Sequence, residues 1–429
     1  MKKTLRLSLL MLLILAIVFV ALAIYFLARN TSFLVSYIPD TELDANNQNV
    51  ETQSNRYTEL QEQEVIVPNR LKQGIFENNK TLNMPLDFQV SLWALNLSSP
   101  RQIDWTHNGN LIVANRGAGE VKLIKSSDGE YGDIHVVIDT NLKNPHGVDY
   151  FEGDLYVGTE TDILVYKNLT EDGTYAEKQT LISNLPIDGH WSRTVKVGPD
   201  RKLYITIGSS CNICVESDER RAAMLRSNLD GSNIEVYAEG LRNTVDFIFK
   251  STPADFTIWG VDNGRDLIGD DLPPEEVNRI QFNGNYGWPY CYGNGINNPE
   301  YPERAGYCKT ETISPTYSMQ AHSAPLGLTF LINDNLAQRV RFPRLIFEND
   351  LFIAFHGSWN RSIPTGYKIV RINTSETNSK EVNFITGWLD SSGKAWGRPV
   401  DVKFDKNGDL FITDDVANAI YKVEYTGSN

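Results

Sequence analysis

The sequence has no excess of positive charge and few of the residues that mark a helical bundle. Its 429 residues include 40 Lys and Arg against 54 Asp and Glu, a net charge of −14. A surface this acidic argues against a nucleic-acid partner, because phosphate binding needs a basic face. Only five Met against 31 Gly and 19 Tyr indicate turns and strands rather than packed helices. With 41% hydrophobic and 22% charged residues, the chain is neither mainly disordered nor collagen-like.

Long hydrophobic runs are absent after the N-terminus, where residues 9–28 are all apolar. Twenty residues in a helix span about 30 Å, the thickness of a bilayer core. Lys2, Lys3 and Arg6 precede the run, so the positive-inside rule places the N-terminus in the cytoplasm and the rest of the chain outside it. We therefore expect residues 1–29 to anchor a periplasmic protein in the inner membrane. A cleaved signal peptide, and thus a secreted protein, is the alternative.

Cysteine is also scarce, with four residues in two groups. Cys211 and Cys214 form a C-x-x-C motif, and Cys291 and Cys308 lie 17 residues apart. A four-cysteine zinc site usually needs a second closely spaced pair. In an exported protein two disulfides are favoured, and the simplest of the three possible pairings joins each local pair. A redox-active C-x-x-C is the alternative, although no thioredoxin-like βαβ pattern surrounds it.

The chain changes character at Met84. Residues 30–83 are polar and weakly periodic, which predicts a tether. Beyond them, short β-rich runs recur between Gly, Asp and Asn turns, as in residues 108–125, 146–167 and 400–425. These turns are hairpin signals between alternating strands. No long amphipathic helix separates the runs, which argues against βαβ units.

About six copies of this hairpin-rich unit predict an all-β, six-bladed β-propeller over residues 84–429. Each blade would contain about 57 residues, slightly more than a kelch repeat of roughly 50. Residues 88–95 could supply the outer strand of the blade that contains 400–425. An array of β-sandwiches is the alternative, but it would need separate cores and linkers, and no linker-like break follows Met84.

Several chemically capable residues lie where blade loops enter or leave strands, and such loops gather at one mouth of a propeller. His190 precedes a strand and suits proton transfer near neutral pH. Arg242 and Asn243 offer a guanidinium fork and an amide. Similar positions are held by Arg116, His322, His356, Arg361 and Arg398. Arginines clustered in an acidic protein indicate an anionic ligand with several carboxylates. Structural pairing with neighbouring Asp residues is the alternative.

The segment 262–278 concentrates acidic residues. They are Asp262, Asp266, Asp270, Asp271, Glu275 and Glu276. Hard cations prefer oxygen ligands, so calcium is the natural metal, although the spacing does not match an EF-hand. A solvated acidic loop is an equally good interpretation.

Longer motifs in the same order carry a family resemblance. They are GHWSRTVKVGPDRKLYITIGSSCNIC (189–214), GLRN (240–243), DNGRDLIGDDLPPEEVNRI (262–280), FHGSWNR (355–361) and WGRPVDV (396–402). Across roughly 84–425 the chain resembles L-sorbosone dehydrogenase and related pyrroloquinoline quinone (PQQ) sugar dehydrogenases. It is more distantly similar to soluble PQQ glucose dehydrogenase, a six-bladed propeller.

The resemblance implies roles for the strand-entrance residues. His190 matches the family's base, which takes the proton from a sugar hydroxyl or hydrated aldehyde. Arg242 matches the arginine that polarises the quinone carbonyl, and Asn243 would hydrogen-bond the cofactor. Gly264 and Arg265 match the segment whose backbone carbonyls hold calcium.

Further positions match with more variation. Arg398 matches an arginine that pairs with PQQ carboxylates. Arg361 and His356 lie where the glucose enzyme has a lysine, and Arg116 and His322 are expected to contact ligand or substrate. The glucose enzyme has Pro-Gln after the Arg-Asn pair where this chain has Thr-Val, so one of its cofactor or metal-water contacts is missing or replaced here. Glucose itself is a poor candidate substrate, because the aromatics of the substrate loop have no clear counterpart.

These expectations combine into a membrane-tethered periplasmic enzyme. It would oxidise a sugar or sugar-derived aldehyde with PQQ and calcium, and pass electrons to a quinone or cytochrome. Two alternatives belong to other classes. A calcium-dependent, lactonase-like hydrolase would need metal ligands on several blades facing the channel, and a non-catalytic binding propeller would tolerate replacement of its histidine and arginine.

Overall fold

The structure is a computed structural model that describes residues 57–251, 255–304, 306–331 and 342–427. The predicted membrane helix, residues 1–29, and the predicted tether up to residue 56 lie outside the described residues. Within the described ranges no helix is long and apolar enough to cross a membrane.

Strands dominate the described chain. Three precede the first blade: β1 (Gln61–Glu64), β2 (Thr81–Met84) and β3 (Phe88–Ala94). Blades 1 and 2 comprise β4 (Pro100–Trp105), β5 (Leu111–Asn115), β6 (Glu120–Ser126), β7 (Gly132–Asp139), then β8 (Gly147–Phe151), β9 (Asp154–Gly158), β10 (Ile163–Lys167) and β11 (Glu177–Ile182). Blade 3 comprises β12 (Arg193–Val197), β13 (Lys202–Ile207), β14 (Ala223–Asn228) and β15 (Glu235–Glu239).

The second half continues the pattern with one long insertion. Blade 4 comprises β16 (Thr244–Ser251), β17 (Phe256–Asp262), β18 (Glu275–Ile280) and, after the insertion, β22 (Tyr317–Met319). The insertion holds β19 (Gly284–Asn285), β20 (Cys291–Tyr292), β21 (Ile296–Asn297) and helix α1 (Tyr307–Thr310). Blades 5 and 6 comprise β23 (Pro325–Phe330), β24 (Asp350–Phe355), β25 (Lys368–Asn373), β26 (Val382–Ile385), then β27 (Pro399–Phe404), β28 (Leu410–Asp414) and β29 (Ala419–Tyr425), with helix α2 (Arg344–Phe347) before β24.

Six blade sheets confirm the predicted six-bladed all-β propeller. Five of them have four antiparallel strands, and the sheet of blade 3 gains β19, which pairs parallel with β15. The ring closes as expected, because β3 pairs antiparallel with β29 and becomes the outer strand of blade 6. The register places Phe88 opposite Tyr425 and Val90 opposite Val423. This shared sheet joins the two ends of the propeller and excludes the sandwich array.

The described part of the predicted tether packs on the propeller. β1 pairs with β2, and Asn83 bridges to Thr386 beside blade 5. Phe76, Leu82 and Met84 are buried in one hydrophobic cluster with residues of blades 5 and 6. From Tyr57 onward, therefore, this segment stabilises the seam between the last two blades rather than acting only as a spacer.

Apolar layers fill the spaces between blades because side chains alternate along each strand. In β9, Leu155 and Val157 pack towards blade 1, whereas Tyr156 packs towards blade 3. All three are essentially inaccessible to solvent. A central strand buried on both faces explains the continuous hydrophobic runs in the sequence.

Aspartates on the inner strands join neighbouring blades around the axis. In each case a carboxylate accepts a hydrogen bond from a backbone N–H of the adjacent inner strand. The pairs are Asp104 with Tyr150 (2.6 Å), Asp149 with Val197 (2.9 Å), Asp246 with Leu328 (3.3 Å) and Asp401 with Ile103 (2.9 Å). Charge-assisted hydrogen bonds of this kind are stronger than neutral ones.

Asp149 and Asp401 line a cavity of about 220 Å³ between the inner strands. Lys196 Nζ lies 2.9 Å from Asp246 Oδ1, and Lys403 pairs with Asp104. Burial, reinforced by a neighbouring aspartate, raises the pKa of Asp149 to about 7, and burial and Asp246 raise that of Asp401 to about 7. The axis therefore holds more carboxylates than ammonium groups, and protonation relieves the imbalance.

Replacement of Asp149 tests this inter-blade contact. Asp149→Ala leaves the N–H of Val197 without its acceptor, so we expect the free energy of unfolding to fall by about 1–3 kcal/mol. Asp149→Asn keeps an acceptor and removes the charge. Because the folded-state pKa is raised from 3.8 to about 7, the unmodified protein should lose stability relative to the Asn variant as the pH rises from 4 to 7. Denaturation of the unmodified protein and of the Asn variant between pH 4 and 7 checks this prediction. The same pH dependence of the free energy of unfolding in both would contradict it.

Candidate functional site

The predicted residues assemble at one mouth of the central channel. His190, Arg242 and Arg398 stand just before the inner strands β12, β16 and β27, whereas Arg116 and His356 directly follow second strands. The start of one strand and the end of its antiparallel neighbour lie at the same edge of a blade. Six such edges meet around the axis, so side chains distant in sequence become neighbours.

His190 is fixed by Ser209, which lies two residues after the end of β13. Its Nδ1 lies 2.9 Å from the carbonyl oxygen of Ser209 and 3.1 Å from that residue's Oγ. Ser209 Oγ donates to the carbonyl of Cys211 (2.9 Å), so it accepts from the imidazole. Because a carbonyl oxygen can only accept, Nδ1 carries the proton and Nε2 is left as the proton acceptor.

The environment keeps His190 neutral. Burial lowers the pKa of His190 to about 4, and the positive charge of Arg242 adds to the effect, with smaller effects from Arg193 and Arg221. A neutral imidazole with a fixed tautomer can accept a proton at pH 7. The site thus meets the geometric and protonation requirements of a general base.

Arg242 is buried and held by four hydrogen bonds. Its Nε donates to the Asn212 carbonyl (3.1 Å) and its Nη2 to Asn212 Oδ1 (3.1 Å). Its Nη1 donates to the carbonyls of Asn263 (3.0 Å) and Gly264 (2.7 Å). The cation is therefore fixed against two loops.

Asn243 lies between His190 and the buried carboxylate of Asp262. Its backbone N–H donates to Asp262 (3.2 Å), and its carbonyl accepts from the N–H of Asn263 (3.1 Å). A Cβ at Gly208 would lie 2.4 Å from Asn243 Oδ1 and 2.7 Å from His190 Cβ, so only glycine fits there. Asn243 Oδ1 is buried with no hydrogen-bond partner among the described residues. A buried polar atom of this kind calls for a ligand or a water.

Trp191, the residue after His190, lies against the guanidinium groups of two arginines. The guanidinium carbon of Arg116 lies 4.1 Å from the Trp191 ring centre, and that of Arg101 lies 5.2 Å from it. Arg101 Nε donates to His146 Nδ1 (3.3 Å). Burial and this arginine hold the pKa of His146 well below its usual range. The two arginines beside Trp191 suit an anionic ligand.

His356 and Arg398 lie near the carboxylate of Asp415. Asp415 accepts from His356 Nε2 (2.9 Å) and from Arg101 Nη1 (2.8 Å). Arg398 donates to the carbonyls of His356 (3.0 Å) and Gly357 (2.5 Å). The pKa of Asp415 is lowered to about 2 by these neighbours despite its burial. Asp415 thus lies close to two arginines, Arg101 and Arg398.

Arg361 and His322 brace loops rather than converging on His190. Arg361 Nη2 donates to Asp271 (2.6 Å), and His322 Nε2 donates to the carbonyl of Gly269 (2.8 Å). Both contacts hold the segment 264–274 against blade 5. Their predicted ligand roles stay predictions.

The acidic residues of 262–278 do not converge on one point. Asp262 binds Thr244 Oγ1 (2.6 Å), Glu275 accepts from the N–H of Gly264 (2.7 Å), and Asp266 accepts from Asn360 (2.7 Å). In the described part of the chain, the only group spaced to hold a metal is Cys211, Cys214 and Glu216, and its cysteines form a disulfide. A hydrolase built on carboxylate ligands from several blades finds no support in this arrangement.

The expected calcium segment already faces a cation. The carbonyl of Gly264 accepts from Arg242, and the side chain of Arg265 points to Glu300 (2.5 Å). In this arrangement the carbonyls of 263–264 serve a guanidinium, so these residues do not fit a calcium ion unless Arg242 moves.

Both local disulfides are confirmed, Cys211–Cys214 and Cys291–Cys308. The first lies at the site, because Ser209 and Asn212 contact His190 and Arg242. The second closes the long insertion in blade 4.

Sequence reasoning missed several residues of the site. Arg101 begins an inner strand within P-R-Q-I-D, and the comparable R-P-V-D of blade 6 could have revealed it. Asp415 directly follows Asp414, the last residue of β28, and only the fold shows which of the two faces the mouth. Asn212 carried no signal beyond its position between two cysteines.

Comparison with known proteins places this geometry in context. The family model described as TrAA12-like matches residues 82–426. An uncharacterized protein of Borreliella burgdorferi is 33% identical over 366 residues, covering 81% of this chain and 92% of its own length. A PQQ-dependent sugar dehydrogenase of Hypocrea jecorina is 22% identical, covering 83% of this chain and 94% of its own.

Solved structures share the fold. The holo PQQ domain of the Coprinopsis cinerea pyranose dehydrogenase superposes with a TM-score of 0.69 at 20% identity, covering 83% of this chain and 98% of its own. The calcium structure of a Trichoderma reesei carbohydrate-active enzyme of family AA12 gives 0.65 at 22% identity, covering 80% and 96%. At these identities the structural likeness establishes the propeller.

The pKa of His190 tests the electrostatics of the site directly. We expect a value of about 4 in the unmodified protein. In Arg242→Gln the value should rise because the adjacent positive charge is lost, yet stay below 6.5 because burial persists. NMR titration of the imidazole signals measures it, with His190→Asn for assignment and Arg201→Gln, on a surface ion pair, as control. An unshifted value in Arg242→Gln would contradict the prediction.

Proposed function

Because the chain belongs to the TrAA12-like family, we propose that it is a PQQ-dependent dehydrogenase that oxidises a sugar or a sugar-derived aldehyde. The family membership and the curated relatives confirm the predicted resemblance to PQQ sugar dehydrogenases at a distant level. The observation that carries the proposal is the neutral, tautomer-fixed His190 beside Arg242 and the unpartnered Asn243 Oδ1.

The site fits a planar anion such as PQQ. Arg101, Arg116 and Arg398 would pair with carboxylates of the ligand. Asp415 binds Arg101 and lies near Arg398, whereas Arg116 donates to the amide oxygen of Asn144 (3.1 Å). Asn243 would use its unsatisfied oxygen on a donor of the ligand or on a bridging water. Bound PQQ would supply the acceptor for the hydride that leaves the substrate carbon.

The chain's own residues would move the proton and stabilise charge. His190 Nε2 takes the proton of the substrate hydroxyl as the C–H bond breaks, while the Ser209 carbonyl stabilises the imidazolium through Nδ1–H. Arg242 provides a fixed cation close to the base, where developing negative charge is stabilised without reorganisation.

We keep calcium as the candidate metal, supported by the calcium structure of a relative. Because Arg242 occupies the carbonyls of Asn263 and Gly264, we assign no step to the ion. Three further parts of the proposal are membrane anchoring by the hydrophobic N-terminus, a periplasmic location, and a quinone or cytochrome as the electron acceptor. Fractionation of cells that produce the full chain tests the first two.

Turnover tests the role of His190. The full chain with PQQ and calcium should retain PQQ absorbance after dialysis and reduce a dye with at least one sugar or aldehyde. His190→Ala should bind PQQ equally but lower kcat by about 10²–10⁴-fold, because the general base is lost. His107→Ala, an exposed histidine outside the site, is the matched control. Absence of PQQ binding by the unmodified protein would falsify the proposal, and full activity of His190→Ala would favour another base.

Trp359 offers a binding face for the substrate. It is 73% exposed on the loop after β24, and its neighbour Asn360 binds Asp266 (2.7 Å). A flat apolar ring at the mouth suits the apolar face of a sugar.

Trp359→Ala should raise KM up to about tenfold and leave kcat and PQQ affinity nearly unchanged, because only stacking is lost. Ile363→Ala, an exposed aliphatic residue of the same loop, is the control and should change little. Steady-state kinetics separate the two constants. A fall in kcat without a change in KM would assign Trp359 a different role.

A further inference from the structure

We propose that Asn212, enclosed by the Cys211–Cys214 disulfide, is the positioning residue that fixes Arg242 and the backbone of 264–266 relative to His190. The catalytic consequence rests on the proposed function. The positioning itself can be tested on the protein without cofactor.

Asn212 accepts two of the four hydrogen bonds that the Arg242 guanidinium donates. Its carbonyl accepts from Nε and its side-chain Oδ1 accepts from Nη2, both at 3.1 Å. The remaining bonds of Arg242 come from Nη1 alone, to the carbonyls of residues 263 and 264. Without Oδ1, Nη2 loses the acceptor that these contacts give it, and the guanidinium gains freedom to turn about the Cδ–Nε bond. Asn212 therefore contributes to the orientation of Arg242 through both its side chain and its carbonyl.

The same side chain binds the opposing loop in two places. Asn212 Oδ1 accepts from the backbone N–H of Asp266 (2.8 Å), and its Nδ2 donates to the carbonyl of Asp266 (3.1 Å). This reciprocal pair imitates a β-bridge between segments 54 residues apart. Asp266 in turn accepts from Asn360 of blade 5. One asparagine thus connects the loop of blade 3 to blades 4 and 5.

The disulfide explains how a loop residue can act as a fixed point. Cys211 and Cys214 are bonded across Asn212 and one further residue, which restricts the backbone of a segment without regular secondary structure. The carbonyl of Cys211 also accepts from Ser209 Oγ, the group that contacts His190 Nδ1. The four-residue ring therefore touches the supports of both the base and the arginine.

The variant Asn212→Leu removes the side-chain contacts while keeping a similar volume. We expect kcat to fall at least tenfold, and the double variant with Arg242→Gln to be no worse than Arg242→Gln alone, because Asn212 acts through Arg242. Effects that multiply would overturn the proposal. PQQ binding by absorbance shows whether the cofactor is still held.

The pKa of His190 in the cofactor-free protein supplies a readout that a merely structural residue would not move. In Asn212→Leu it should shift part of the way towards its value in Arg242→Gln, because the displaced cation no longer lowers it as strongly. Cys211→Ser/Cys214→Ser should shift it in the same direction. Cys291→Ser/Cys308→Ser, the matched control, should lower the melting temperature without moving the pKa.

The two proposals can fail separately. If the unmodified protein neither binds PQQ nor turns over substrate, the proposed function fails, and the shift of the His190 pKa still decides the positioning role. If the unmodified protein turns over substrate but the pKa of His190 is the same in it and in Asn212→Leu, the positioning role is wrong and the proposed function stands.

Discussion

The propeller depends on hydrogen bonds that inner-strand aspartates accept from backbone N–H groups of neighbouring blades. Neighbouring β-sheets in a propeller otherwise meet through side-chain packing, which is strong but not directional. The carboxylates of Asp104, Asp149, Asp246 and Asp401 add direction. They set the height of one inner strand against the next, and thereby the level at which the strand-entrance residues meet. The cost is a buried cluster of acids, which Lys196, Lys403 and partial protonation offset.

The candidate site uses this fixed ring as its base and adds a second set of contacts above it. Loops from blades 3, 4 and 5 reach the mouth and hold one another through side-chain amides and carboxylates. Arg101 and Arg116 lie on the ring of Trp191, and Arg101 shares Asp415 with His356. These cations therefore lie close to the residue that follows the neutral base, and burial strengthens their attraction for an anionic ligand.

Local sequence patterns predicted much of the fold and part of the candidate site. The propeller, the closing strand at 88–95 and both disulfides follow from repeats and spacing, because hairpins and short cysteine loops form from neighbouring residues. The placement of His190, Arg242 and Arg398 followed from recognising where inner strands begin.

The pairing of His356 with Asp415 and of Asn212 with Arg242 could not be predicted, since each joins loops far apart in sequence. The acidic segment 262–278 misled for the same reason: its six carboxylates are close along the chain but bind different donors in space. The hairpin at 61–84 was hidden by its polar composition, although Phe76, Leu82 and Met84 within it are buried.

Closure of the ring by β3 has a consequence for biosynthesis. β3, which completes blade 6, is made before any strand of blades 1 to 5, whereas its partner β29 is the last strand in the described order. Blades 1 to 5 can each assemble as soon as their own segments emerge, but the last sheet must wait for β29. Until then β3 carries an unpaired edge, which is open to mispairing with other chains. Translation that stops before β29 would thus leave the ring open and this edge exposed.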